Sequence, residues 1–121
     1  MKYTNVFIES FGYELPPRIV TSRDIEEKLS PFYTSVGFPP GQIEAITGIR
    51  ERRYWDEDHT LAEHAAVAGR RALEDADICA EDVGALIFCG VGQDGFEPAT
   101  ACAAASALGL GPDAMVYDVK S

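Results

Sequence analysis

Glu97 closes the run Gly92-Gln93-Asp94-Gly95-Phe96-Glu97, in which small and acidic residues lead up to Pro98. A loop of this make-up can project a carboxylate, and a carboxylate held in a dry setting is a strengthened general base. Read locally, the same residue is an acid ahead of a helix, where the dipole favours negative charge. The overlapping segment Gly90-Val91-Gly92-Gln93-Asp94-Gly95 fits G-x-G-x-x-G after an apolar run, with Asp118 downstream as a candidate ribose-binding acid. That spacing suggests a dinucleotide site. Against it, Pro98 would fall in the first turns of the phosphate-binding helix, and Asp94 and Glu97 would face a pyrophosphate. A flexible loop with incidental glycines is the competing reading.

Arg50-Glu51-Arg52-Arg53 is the local positive cluster of a chain with ten Lys and Arg against twenty Asp and Glu, a net charge of -10. It could meet a phosphorylated cofactor; a solvated strand or an internal ion-pair network accounts for it equally. The overall balance argues against nucleic acid as a partner. Cys79, Cys89 and Cys102 include no Cys-x-x-Cys pair, and His59 and His64 lie five apart, so no metal is expected. Cys89, ending a buried strand, and Cys102, in a helix of small residues, read as inert core thiols. His64, off the apolar stripe of its helix, reads as solvated. No Ser-His-Asp arrangement is legible.

The elements that must carry these residues follow from periodicity and punctuation. A chain of 121 residues, 46% of them hydrophobic, is long enough for a core, and no apolar run approaches the ~20 residues of a membrane-spanning helix. Met1 to Asn5 runs into Val6-Phe7-Ile8 without the pattern of a signal peptide, which implies a cytoplasmic chain. Val6 to Phe11 reads as a first strand, and Gly12 to Pro17 as a turn. Thr21 to Asp24 caps a short helix that Pro31 stops, Ser35 to Gly41 is a loop, and Gln42 to Thr47 is a helical turn ended by Gly48. Thr60-Leu61-Ala62-Glu63 is a capping box for a helix with Leu61, Ala65, Ala68, Ala72 and Ala76 along one stripe. Val83 to Gly90 is a strand covered on both faces, Pro98 opens a helix over Ala99 to Leu108 closed by Gly109, and Met115 to Val119 is another buried strand. This order predicts an α/β layered fold with right-handed crossovers.

Several of these segments together resemble the beta-ketoacyl synthase III branch of the thiolase superfamily. Gly12 to Ile25 is similar to its amino-terminal strand-turn-helix signature, and Thr47-Gly48-Ile49-Arg50-Glu51-Arg52-Arg53 to its most recognisable early motif. Phe96-Glu97-Pro98-Ala99-Thr100-Ala101 resembles the segment before the dimer-core helix, and Tyr117-Asp118-Val119-Lys120-Ser121 the strand that runs into the nucleophile turn. The resemblance implies a thiolase-like layered fold, with residues 1–121 as the amino-terminal portion of a condensing enzyme. It places the family's cysteine about two residues beyond Ser121 and its histidine and asparagine much later, so this portion alone is expected to be inactive.

The implied activity is an acyltransferase reaction, Claisen condensation of two acyl thioesters through a cysteine-bound acyl intermediate. Coenzyme A or acyl carrier protein thioesters serve as substrates, with no further cofactor. The implied partners are the remainder of the same enzyme and a second copy in a homodimer. The setting of Glu97 looks like that of the head-to-head condensing enzymes of long-chain olefin biosynthesis, which implies a base acting in the neighbouring subunit. Gln42 and Ile46 stand where many members that start fatty-acid synthesis carry a tryptophan and an arginine, so their way of holding coenzyme A is not expected here. The alternatives are a starter condensation with a malonyl carrier-protein substrate, a dinucleotide-binding domain, and a non-catalytic partner subunit.

Overall fold

The computed structural model describes residues 3–56 and 58–120; Met1, Lys2, Glu57 and Ser121, and with them the two chain ends discussed above, lie outside the described residues. Helices and strands mix along the chain, as expected of an α/β protein. They gather into two compact units, Leu15–Glu57 and Met1–Glu14 with Asp58–Ser121.

In the first unit, β1 (Arg18–Thr21) pairs antiparallel with β2 (Glu51–Tyr54), Arg18 opposite Tyr54 and Thr21 opposite Glu51. Thr21 then caps α1 (Ser22–Lys28) in a reciprocal box with Asp24, so the hydroxyl and the carboxylate satisfy end groups that the helix leaves open. Ser22 is buried, donating its N–H to the Arg50 carbonyl at 2.9 Å and its hydroxyl to the Ile49 carbonyl. The two motifs around Thr21 and Ile49 are therefore fastened to each other. Pro31 does end α1, but it also opens α2 (Ser30–Val36), where the sequence reading put no helix; a ring that cannot continue one helix suits the first turn of the next. α3 (Gln42–Thr47) ends at Gly48, whose φ of 69° is the left-handed cap expected of it.

Glu26 on α1 is only 7% exposed, and its carboxylate accepts from Gly41 N at 2.6 Å and Ile43 N at 2.7 Å at the start of α3. The Ile43 and Gly41 amides hold its carboxyl below the ordinary value of 4.5. A depressed native pKa stabilises fully above the ordinary value and is lost as pH falls through the lowered one. Glu26→Gln in the complete protein should therefore lower the urea midpoint at about pH 7, and the gap to the parent should close over the acid range in which the lowered carboxyl takes up its proton. A gap that stays constant across that range would show that the charge of Glu26 does not matter to α3.

In the second unit, α4 (Leu61–Ala76) starts at the capping box of Thr60 and Glu63. Its most buried residues are Ala62 and Ala66, one position off the expected stripe, and α5 (Thr100–Leu108) is its main neighbour, through Ala101, Ala104, Ala105 and Leu108. The expected stripe is half used by another neighbour: a Cβ on Gly12 would lie 2.0 Å from the Ala68 carbonyl oxygen, so the amino-terminal segment crosses α4 there. α5 ends at Gly109 with φ 77°, while Pro98 precedes its N-cap Ala99 instead of opening it.

β3 (Ala85–Cys89) and β4 (Met115–Val119) pair in parallel, Ala85 opposite Met115 and Cys89 opposite Val119. The expectation that both faces are covered fails among the described residues: Leu86, Phe88, Val116 and Asp118 are half-buried, while Ile87, Met115, Tyr117 and Val119 are exposed. Among the described elements, α5 is the main one packed on this pair. Val6 to Phe11 forms no ladder either, and Val6, Phe7 and Ile8 are exposed; an apolar β pattern needs a partner edge, and none of the described residues supplies one.

Candidate functional site

Residues 90–98 leave β3 and reach α5 as an exposed loop, and its anchors decide what it can present. Asp94 lies near the start of α4, its Oδ1 accepting from Leu61 N at 2.6 Å and its Oδ2 from Ala62 N at 2.9 Å. Gln93 accepts a hydrogen bond from Lys120 Nζ just past β4. At the other end of the loop Asp118, on β4, accepts from Thr100 N at 3.1 Å and Ala101 N at 2.7 Å, the first amides of α5. Two helix N-termini are thus closed by carboxylates remote in sequence, where open amides and the dipole favour negative charge.

These anchors overturn the dinucleotide geometry. The N-terminus of α5, where a pyrophosphate would sit, already holds Asp118, and Asp118 is the residue that would have held a ribose. The glycines serve the loop: a Cβ on Gly92 would come within 3.1 Å of Leu61 Cδ1. Between the anchors the loop presents Phe96, 94% exposed, and Glu97, also exposed. Phe96 therefore packs on nothing in its own unit and does not anchor Glu97; the restraint comes from Asp94 instead.

Other candidates change character. His64 is not solvated: its Nδ1 lies 2.8 Å from Glu14 Oε2, with the imidazole 16% exposed and its ring 4.9 Å from that of His59. Arg71 joins the same group, donating to the Tyr13 carbonyl at 2.6 Å and approaching Glu14 Oε1 at 3.9 Å. Nothing in the spacing of Glu14 and His64, fifty residues apart, announces that pair. Cys79, Cys89 and Cys102 are all exposed thiols; Cys89 and Cys102 are not core residues, because one side of β3 and one side of α5 are uncovered. Two arginines of the cluster bond within their own unit, Arg52 donating to Ser22 Oγ at 3.1 Å and Arg53 to the Pro16 carbonyl at 3.1 Å, while Arg50 is exposed.

No protein-family model matches the chain. It is 43% identical over all 121 residues to the acyl-CoA:acyl-CoA alkyltransferase of Shewanella oneidensis, covering 35% of that protein. Over 105 residues it is 35% identical to beta-ketoacyl-[acyl-carrier-protein] synthase III 1 of Bacillus cereus, covering 87% of this chain and 32% of that one. A crystal structure of a glutamate-to-aspartate variant of Xanthomonas campestris OleA superposes with a TM-score of 0.89 at 35% identity, over 99% of this chain and 37% of that chain. The chain spans about a third of the length of the curated relatives it matches.

Proposed function

From a chain that belongs, as a partial-length homologue, to the thiolase-fold condensing enzymes of the beta-ketoacyl synthase III type, we propose that it is the amino-terminal portion of an acyltransferase joining two acyl thioesters head to head. The observation that carries this reading is the loop with Phe96 and Glu97 exposed while Asp94 and Asp118 hold it on either side. A carboxylate presented in this way can serve a pocket outside its own unit, which suits a homodimer in which Glu97 acts in the neighbouring subunit.

The chemistry runs in two stages. A cysteine thiolate from the remainder of the enzyme attacks the first thioester carbonyl, and the thiol of its carrier leaves. Glu97 of the other subunit then takes an alpha proton from the second thioester. The resulting enolate attacks the enzyme-bound acyl carbon, the cysteine thiolate is expelled, and a beta-keto thioester remains. Substrates carried on coenzyme A, with no other cofactor, and a cytoplasmic place in lipid biosynthesis complete the reading. In this reading residues 1–121 supply the base and the acyl-accepting cysteine belongs to the remainder of the enzyme, so this portion on its own is expected to be inactive.

The test is intact-mass analysis and peptide mapping of the complete enzyme after incubation with a long-chain acyl-CoA. One acyl group per subunit, on a cysteine beyond residue 121, and a beta-keto product formed without any malonyl substrate are expected. A strict requirement for malonyl carrier protein would move the reading to the starter condensation. Absence of any acyl adduct would leave a non-catalytic partner subunit.

A further inference from the structure

The loop that presents Glu97 could reach its position in many ways, since residues 91–98 are all exposed and include Gly92 and Gly95. A free segment of this composition loses backbone entropy with each residue it orders. Asp94 removes this freedom on the β3 side of Glu97. It spends both carboxylate oxygens on consecutive amides, Leu61 N and Ala62 N, and two bonds to a rigid helix end fix orientation as well as distance. The α4 terminus does not need Asp94 for its third amide, because Thr60 already accepts from Glu63 N. From Asp94 to Glu97 there are three residues, and from Glu97 to the Asp118-held amide of Thr100 there are three more. Glu97 thus sits midway between two carboxylate clamps.

We propose that Asp94 is a positioning residue for Glu97: by closing the N-terminus of α4 it fixes the loop 90–98 in the conformation from which Glu97 reaches the reacting thioester. The inference rests on the condensing-enzyme reading given above. General-base help depends on the base standing within hydrogen-bond reach of the proton it takes, so a loop loose by an ångström forfeits most of it.

The complete enzyme carrying Asp94→Ala, Glu97→Gln and both changes tests this, with two independent readouts. Amide hydrogen exchange reads the clamp without any chemistry: exchange of the Leu61 and Ala62 amides, which Asp94 accepts from, should rise at least about tenfold in Asp94→Ala while the interior of α4 keeps its protection. Unchanged exchange would overturn the clamp whatever the enzyme catalyses. Condensation turnover should fall about 10–100-fold in Asp94→Ala with acyl loading of the cysteine unchanged, and should fall no further when Asp94→Ala is added to Glu97→Gln. Losses that multiply in the double variant would overturn action through Glu97 and leave the role of Glu97 standing. Full condensation by Glu97→Gln alone would instead overturn the condensing role of Glu97, and the positioning role with it, even if exchange rises. Should Asp94→Ala fail to fold, Asp94→Asn, which keeps one acceptor, gives the same readouts with smaller effects.

Discussion

Glu97→Gln in the complete enzyme is expected to cut condensation by ~10²–10⁴-fold while acyl transfer to the cysteine continues at the parent rate. The substitution keeps shape and hydrogen-bonding capacity and removes only basicity, so the two half-reactions separate. The bland alternative is weak on structural grounds. A dipole-favoured acid belongs in the first turn of its helix, yet α5 begins at Thr100 with Ala99 as N-cap, and its first amides are taken by Asp118. Glu97 therefore lies outside the turn where such an acid contributes ~0.3–1 kcal/mol. Rapid-quench measurement of the acyl-enzyme alongside the beta-keto product would read both stages. Condensation at the parent rate would remove Glu97 from the chemistry.

Gly12→Ala should give the largest loss of stability of any single methyl added to the second unit. The new Cβ would stand 2.0 Å from the Ala68 carbonyl oxygen and 2.5 Å from Ala72 N, both backbone atoms of α4 that cannot swing aside. The amino-terminal segment would have to lift, straining the bond from Ser10 Oγ to the Ala72 carbonyl at 2.7 Å and that from Arg71 to the Tyr13 carbonyl. Overpacking of this kind costs about 1–3 kcal/mol, and each lost hydrogen bond about 1 kcal/mol more. Denaturant unfolding of the complete protein checks this, with Gly84→Ala as the control, because a Cβ there meets nothing within 4 Å. Equal midpoints for the two variants would mean that the segment does not rest on α4.

What the sequence made legible was whatever neighbours in the chain decide. Thr21 with Asp24 and Thr60 with Glu63 complete their helix caps within four residues, and Gly48 and Gly109 end helices by their own backbone freedom. The parallel pairing of β3 and β4 was likewise readable from two apolar runs flanking a helix. Glu26, Asp94 and Asp118 were not, because each closes a helix from 15 to 33 residues away and leaves no local pattern. Glu14 with His64 failed for the same reason. The alanine stripe slipped by one position because small residues on two faces of α4 serve two neighbours, α5 and the segment at Gly12. Glu97 drew attention through a resemblance; its exposed setting comes from anchors the spacing does not reveal.

Asp118 also bears on how the chain assembles. Parallel strands cannot form a hairpin, so β3 and β4 meet only after the whole crossover between Cys89 and Met115 has been closed, an entropic cost that precedes any reward. The carboxylate that caps α5 stands on β4 itself, in register with Phe88 of β3. Helix and strand are thereby committed to one event: α5 lacks its cap until β4 docks, and β4 docks onto a helix that shortens the loop to be closed. In folding terms the crossover is one cooperative step, with a side chain in the strand as its latch.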